Sequence, residues 1–167
     1  MNLNAQIHVL NDLKNLLKSL NSTSFTRKNN TLFGGTIGAH FRHIIEFYIC
    51  CFEQRDKGVV NYDLRKRDAD LEKDTNLGVL AINQVLEKVN RLNLSKNENL
   101  LLDSSLNKGN ANAIQTSFYR ELSYCMDHCV HHQSLIKIAL QEQGLLHLID
   151  ENFGVAFSTQ KYRQECV

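Results

Sequence analysis

The chain has 167 residues, of which 43% are hydrophobic and 22% are charged, and its formal net charge at pH 7 is +1. This length suits one domain with a sizeable core, so we expect a single domain over residues 1–167. The near-zero charge gives no reason to expect nucleic acid or an anionic membrane surface as a partner. No apolar run approaches the roughly 18–20 residues of a membrane-spanning helix, which excludes a membrane protein of that type.

Four segments of the chain show the periodicity of amphipathic helices. Apolar residues recur in them at intervals of three and four, and polar residues lie between. Thr36 can cap the second segment, and Gly144 is a natural stop after the fourth. The four predicted helices run from Leu3 to Leu20, from Ile37 to Asp56, from Leu71 to Leu92, and from Thr116 or Ser117 to Gln143.

The segments between these helices are predicted to be loops, with one exception. Residues 21–30 are rich in Ser, Thr and Asn, and residues 58–70 carry charge without a helical stripe. Short apolar runs flank residues 107–110 and indicate a small hairpin before the fourth helix. A short helix and a tail follow in residues 145–167. The predicted fold class is therefore all-α, a four-helix bundle with its core in about residues 3–143 and with long crossing loops.

The five cysteines are odd in number and form no CxxC pair. No signal-peptide pattern precedes them, so the expected compartment is a reducing cytoplasm. Cys125 and Cys129 lie four residues apart on the fourth predicted helix. We interpret this pair as buried thiols of the core rather than as ligands or nucleophiles.

The spacing of the histidines indicates a metal site between two helices. His128 and His132 lie four residues apart on the fourth predicted helix, so both imidazoles share one face and can hold one ion. A third ligand must come from elsewhere, and the second helix carries His40 and His43. Helical periodicity places His40 within the apolar face and His43 at its edge, which favours His40. The alternative is a metal-free bundle whose histidines have structural partners.

Four stretches of the sequence carry a resemblance to a known family. Together they resemble the DinB/YfiT-like superfamily of metal-dependent enzymes, over about residues 1–144. The order and separation of the helical histidines are the most specific part of the likeness. The stretches are Thr36–Ile44 (TIGAHFRHI), Asn61–Asp68 (NYDLRKRD), Arg120–Leu122 (REL) and Asp127–His132 (DHCVHH).

The resemblance implies a divalent metal ion, zinc or nickel, held by one histidine of the second helix and the HxxxH pair of the fourth. Alignment of the family pattern on residues 36–44 places the ligands at His43, His128 and His132. Three protein ligands leave a coordination position open, as in catalytic rather than structural sites. Three further residues are candidates for supporting or substitute ligands: His40, Glu46 and His131.

The resemblance also implies two reaction types, a thiol S-transferase that uses a low-molecular-weight thiol and a hydrolase. In either type the ion would activate a thiol or a water molecule. No HExxH helix or Ser/His/Asp order is present, so no catalytic residue is assigned. Basic side chains that could contact an anionic part of a small-molecule substrate are Arg65, Arg67 and Arg120, although a solvated charge run and an Arg120–Glu121 pair are structural alternatives.

The same residues also fit a second class of function, which is not catalytic. A noncatalytic, stress-associated metal-binding bundle would work through a partner or a dimer interface, and the resemblance suggests a homodimer. Such a site would be coordinatively closed, with His40 or Glu46 completing the ligand set. The number of protein ligands around the ion therefore separates the two hypotheses.

Overall fold

Four long helices supply most of the core in the computed structural model, which describes residues 3–103 and 113–166. The helices are α1 (Leu3–Ser19), α2 (Ser22–Thr26), α3 (Ile37–Arg55), α4 (Thr75–Asn90), α5 (Phe118–Glu142) and α6 (Phe157–Glu165). Single 3₁₀ turns lie at Asn30–Leu32, Tyr62–Leu64, Ala69–Glu72 and Leu146–Leu148. None of the helices in these ranges combines the length and apolarity that a transmembrane span requires.

The long helices pack through the apolar faces that their periodicity predicts. The most extensive contacts join α3 to α5 and α1 to α4, and α3 also contacts α4. Aromatic side chains fill the centre, since Phe41, Tyr48 and Phe118 are fully buried. The packing of α3 on α5 confirms the expectation that the second and fourth predicted helices meet.

Polar residues at the helix ends fix where these helices begin and stop. The Thr36 hydroxyl accepts a hydrogen bond from the Ala39 N–H at 2.9 Å, and the Ser117 hydroxyl accepts one from the Arg120 N–H at 3.4 Å. These bonds satisfy amide groups that the first turn of a helix leaves unpaired. Gly144 follows α5 with φ +73°, a conformation that glycine adopts without strain. The predicted caps and stop are confirmed.

A three-stranded mixed sheet shows that the predicted all-α class is wrong. Its strands are β1 (Val59–Val60), β2 (Asn99–Leu102) and β3 (Ile114–Ser117). The strand order is β1-β2-β3, with β1 parallel to β2 and β2 antiparallel to β3. Val60 and Leu100 are buried in the core, so the sheet is packed against the helices. The β2–β3 pair is the predicted small hairpin, and residues 107–110 of its connection lie outside the described residues.

The structure corrects three further boundaries. Residues 22–26 form the short helix α2, where the sequence indicated only a loop. Helix α4 begins at Thr75, because Leu71 belongs to a separate 3₁₀ turn that is pressed against the start of α3. A Cβ atom added at Gly38 would lie 2.1 Å from the Glu72 carbonyl oxygen. At the end of the described chain, residues 157–165 form α6 rather than an extended tail.

Buried amide side chains join α1 to α3 and to α5 through hydrogen bonds. The Gln6 side chain donates to the Leu122 carbonyl at 2.7 Å and accepts from the Tyr48 hydroxyl at 2.7 Å. Gln133 donates to the Val9 carbonyl at 2.8 Å. We call Gln6, Tyr48 and Gln133 the glutamine network. Its hydrogen bonds compensate for the cost of burying these polar groups.

Candidate metal centre

Helices α3 and α5 bring three histidines together. His43 lies on α3, and His128 and His132 lie four residues apart on α5. The ring centroids are 4.9 Å apart for His43 and His128, 4.6 Å for His43 and His132, and 4.5 Å for the pair on α5. Each residue offers one ligand atom, and these atoms lie within 4.8 Å of one another. The three histidines could therefore hold a metal ion.

One buried nitrogen of this group lacks a hydrogen-bond partner. The Nε2 atom of His128 is buried and makes no hydrogen bond. Other buried atoms in that state are Arg42 Nε, Tyr119 Oη and Gln143 Oε1, which lie outside the three-histidine group. A buried polar atom without a partner is costly unless another ligand satisfies it. The donor set, three imidazoles, suits zinc, nickel and related divalent ions.

His40 lies beside the group rather than in it. Its Nδ1 atom is 2.9 Å from the Nδ1 atom of His132, and the two ring centroids are 5.1 Å apart. One of these nitrogens donates and the other accepts, because two lone pairs or two N–H groups would repel. When His132 donates, its Nε2 keeps the lone pair that an ion needs. The geometry thus places His43 with the α5 pair and His40 in contact with one member of it.

The carboxylate of Glu46 is engaged elsewhere. Its side chain is only 2% exposed, and it accepts from Arg65 Nε at 3.3 Å and from the Asp68 N–H at 2.8 Å. Arg42 Nε lies 3.6 Å from the same carboxylate. Glu46 therefore anchors the loop that carries Arg65, and it does not belong to the three-histidine group.

Burial keeps the three imidazoles neutral near pH 7. Burial, and then the neighbouring His128 and Arg65, lower the pKa of His43 to about 4. Burial, followed by His131 and Arg65, lowers the pKa of His128 to about 4. For His132, burial and then His128 and His43 lower the pKa to about 3. Since only a neutral imidazole has a lone pair for a metal ion, all three are competent ligands at neutral pH.

Aromatic rings enclose His128, and periodicity did not single them out. Phe47 stacks on His128 with ring centroids 4.4 Å apart, and Tyr124 stacks on it at 5.6 Å. The other stacked partner of Phe47 is Tyr62, at 4.7 Å. The signal was present in the sequence, because Phe47 follows His43 by four residues and Tyr124 precedes His128 by four.

A cavity of about 300 Å³ adjoins this aromatic wall. Phe47, Tyr62 and Tyr124 line it together with Leu102 from β2 and Arg120 from the start of α5. Its contents would thus contact the same rings that stack on His128. The lining combines these apolar side chains with one cationic group, Arg120, and three acidic ones, Asp63, Asp103 and Glu121.

The three arginines that are candidates for anion contacts, and His131, lie in different parts of the site. Arg120 lines the cavity, lies over the Tyr124 ring at 5.5 Å and has a side chain 61% exposed. Arg65 is held against His43, whereas Arg67 is exposed. His131 is exposed on α5, with its ring centroid 5.1 Å from that of His132. Of the three arginines, the cavity brings in only Arg120.

The buried cysteines match their interpretation as core residues. Cys125 and Cys129 are both free and buried. Burial raises the pKa of both thiols well above the usual range, so they stay protonated. A protonated, buried thiol is a poor nucleophile and a poor metal ligand.

Comparison with known proteins gives a partial match. The chain is 31% identical over 109 residues to FK506-binding protein 5 of Rhizopus delemar. The match covers 62% of this chain and 27% of that protein, so the chain spans about a quarter of the relative's length. No protein-family model matches the chain, and no solved structure matches it. The resemblance to the DinB/YfiT-like superfamily stays a prediction.

Proposed function

We propose that the chain is a metal-dependent enzyme of the thiol S-transferase or hydrolase type. His43, His128 and His132 would hold one divalent ion, zinc or nickel. The observation that carries the proposal is the buried, unpartnered Nε2 of His128 within a group of three neutral imidazoles. When bound, such an ion supplies Lewis-acid chemistry at its open coordination position, where it activates a thiol or a water molecule.

The other residues around the group have supporting roles in this proposal. His40 orients His132 through the contact between their Nδ1 atoms. The rings of Phe47 and Tyr124 exclude water from one side of His128 and present an apolar wall to the substrate. Arg120 lies 4.0 Å from the Glu121 carboxylate and is 61% exposed, so an anionic group of a small molecule in the cavity would compete with Glu121 for it. These roles fit a low-molecular-weight thiol or a comparable small substrate.

The contacts of the two candidate fourth ligands favour an enzyme over a closed, noncatalytic site. Glu46 already accepts hydrogen bonds from Arg65 and from the Asp68 amide. His40 is already paired with His132. Neither belongs to the group of ligand atoms that lie within 4.8 Å of one another, so an ion on the three histidines would keep a position for substrate. The similarity to FK506-binding protein 5 covers 27% of that protein, and the ligand in its name is not transferred to this chain.

Elemental analysis of protein purified without an affinity tag tests the proposal. We expect about one equivalent of zinc or nickel in the wild type. The ion should be lost in His43→Ala and His128→Ala, and kept in His40→Ala and in a control, His147→Ala, which changes an exposed histidine. Absence of metal in every sample, even after reconstitution, would contradict the proposal.

Activity assays then test the reaction type. Metal-loaded protein is incubated with glutathione, cysteine or coenzyme A and an aryl halide as electrophile. Thioether formation that disappears in His128→Ala supports an S-transferase. Hydrolysis of an ester or amide substrate that depends on His128 in the same way supports a hydrolase. A rate equal to that of His128→Ala for all substrates would remove the enzymatic part of the proposal.

A further inference from the structure

Arg65 is a nearly buried cation that is bonded directly to one of the three histidines. Its Nη2 atom lies 3.3 Å from Nδ1 of His43, and its side chain is only 12% exposed. The same guanidinium donates to Glu46 at 3.3 Å and to the Tyr62 carbonyl at 3.0 Å, and it lies 5.1 Å from the Phe47 ring centroid. These contacts hold Arg65 against His43 from the loop that follows β1.

The contact with His43 has a fixed chemical direction. An arginine guanidinium has only donors and does not lose its charge in proteins, so Arg65 donates and His43 Nδ1 accepts. A neutral imidazole has one lone pair available, because its other nitrogen carries the proton. A metal ion also needs that lone pair. Arg65 and a metal ion therefore both require the one lone pair that the neutral His43 ring has available.

We infer that Arg65 and a metal ion compete for the single lone pair of His43, so that metal binding releases Arg65 from this ring. The inference rests on the proposed metal centre and deepens it. The competition holds for either ring nitrogen of His43. If the ion takes Nε2, the proton must sit on Nδ1, where it would face an N–H group of Arg65. If the ion takes Nδ1, it displaces Arg65 directly.

The competition couples the metal centre to the loop that contains Arg65. That loop is tied to α3 by two hydrogen bonds to Glu46, one from Arg65 and one from the Asp68 amide. When the contact with His43 is lost, Nη2 of Arg65 no longer has this partner. Its Nε and Nη1 atoms can keep their hydrogen bonds to Glu46 and to the Tyr62 carbonyl. A guanidinium with a free donor beside the histidines is suited to an anionic ligand. Metal occupancy would in this way control whether Arg65 is available.

The direction of the expected effect separates this role from an ordinary supporting one. Residues that support a metal site lower the affinity for the ion when they are removed. Removal of Arg65 should raise it, because both the competing hydrogen bond and a cation next to the ion disappear. A hydrogen bond to a charged group corresponds to about a tenfold change in an equilibrium constant or more.

Zinc affinity, measured by competition with a chromophoric chelator, tests the inference in Arg65→Met and in a control, Arg67→Met. Methionine keeps an unbranched apolar side chain against Phe47, and Arg67 is an exposed residue of the same loop. We expect zinc to bind Arg65→Met about tenfold more tightly than wild type, and Arg67→Met to match wild type. Thermal unfolding of the metal-free proteins checks that the variants are folded.

A second measurement needs no variant. Long-range ¹H–¹⁵N spectra of the histidine side chains report which ring nitrogen carries the proton. In metal-free wild type we expect His43 to carry it on Nε2, with Nδ1 unprotonated, and zinc should change this pattern. A proton on Nδ1 of His43 before zinc is added would overturn the inference.

The outcomes distinguish this inference from the proposed function. If wild type binds zinc, and Arg65→Met binds it equally or more weakly, the competition is wrong and the metal centre stands. If neither protein binds zinc, the metal centre fails and the inference fails with it. Tighter binding in Arg65→Met together with the expected His43 tautomer supports both.

Discussion

Two polar clusters, the glutamine network of α1, α3 and α5 and the histidine group of α3 and α5, differ in how their buried atoms are paired. In the glutamine network, Gln6 and Gln133 bond across helices at 2.7 and 2.8 Å. In the histidine group, Nε2 of His128 is buried without a partner. A fully paired cluster stabilises the fold, whereas an unpaired one costs free energy until a ligand arrives. This difference indicates a structural role for the glutamine network and a ligand-binding role for the histidine group.

The largest expected effect comes from removing the unpaired group. His128→Leu should weaken zinc binding by more than about 100-fold, because one of three ligands is lost. It should leave the metal-free stability unchanged or slightly higher, since leucine has no polar atom to bury. Chelator competition and urea unfolding measure the two quantities. A large loss of metal-free stability would show that His128 is a structural residue like Gln6.

The opposite result is expected in the glutamine network. Gln6→Leu leaves the Tyr48 hydroxyl and the Leu122 carbonyl without this partner, and should lower the free energy of unfolding by about 2–3 kcal/mol. Zinc affinity should stay at the wild-type value. Gln141→Leu, at an exposed position of α5, is the matched control and should change little. Urea unfolding measures the free energy of unfolding of both variants. If Gln6→Leu were as stable as Gln141→Leu, the glutamine network would not stabilise the fold, and its contrast with the histidine group would disappear.

A smaller effect is expected at the residue that touches one ligand. His40→Ala should weaken zinc binding by about tenfold, because His132 loses the partner that orients its ring. The ion should still be present at saturating zinc. Isothermal titration calorimetry measures the affinity, with His147→Ala as control. A loss as large as that of His128→Leu would make His40 a ligand rather than a supporting residue.

The smallest effect concerns the dependence of stability on pH. The pKa of His132 is lowered to about 3 from 6.5, so below pH 6.5 the unfolded state binds protons that the folded state excludes. Metal-free stability should therefore fall as pH drops from 6.5 towards 3. Since the ring is only partly buried, its share should be on the order of 1 kcal/mol between about pH 7 and about pH 5. Urea unfolding of His132→Leu should show a smaller decrease over this interval, and an equal decrease would contradict the assignment.

Local spacing was enough to predict two of the three histidines of the group. His128 and His132 are four residues apart on one helix, so their proximity follows from helical geometry alone. The third member depended on how α3 is rotated against α5. Periodicity favoured His40, and the structure brings in His43, at the edge of the apolar face. Tertiary packing, which the sequence does not encode in any local window, decides between residues three positions apart.

The sheet was beyond the reach of local patterns for a similar reason. Strand β1 has two residues, and its partner β2 lies about 40 positions later, after α4. Two consecutive valines carry no alternation that indicates a strand. The engagement of Glu46 was also nonlocal, since Arg65 comes from the loop after β1. The long amphipathic helices and the caps at Thr36 and Ser117, by contrast, are specified within a few residues and were predicted, whereas the short helices α2 and α6 were not.

Strand β3 ends at Ser117 and α5 begins at Phe118, so no flexible residue separates them. Strand pairing therefore sets the angular phase of α5 about its own axis. One residue inserted at this junction would turn the helix by about 100° and advance it by about 1.5 Å. His128 and His132, about three and four turns further along, would then point away from α3. The three-stranded sheet therefore fixes the direction in which the two histidines of α5 point.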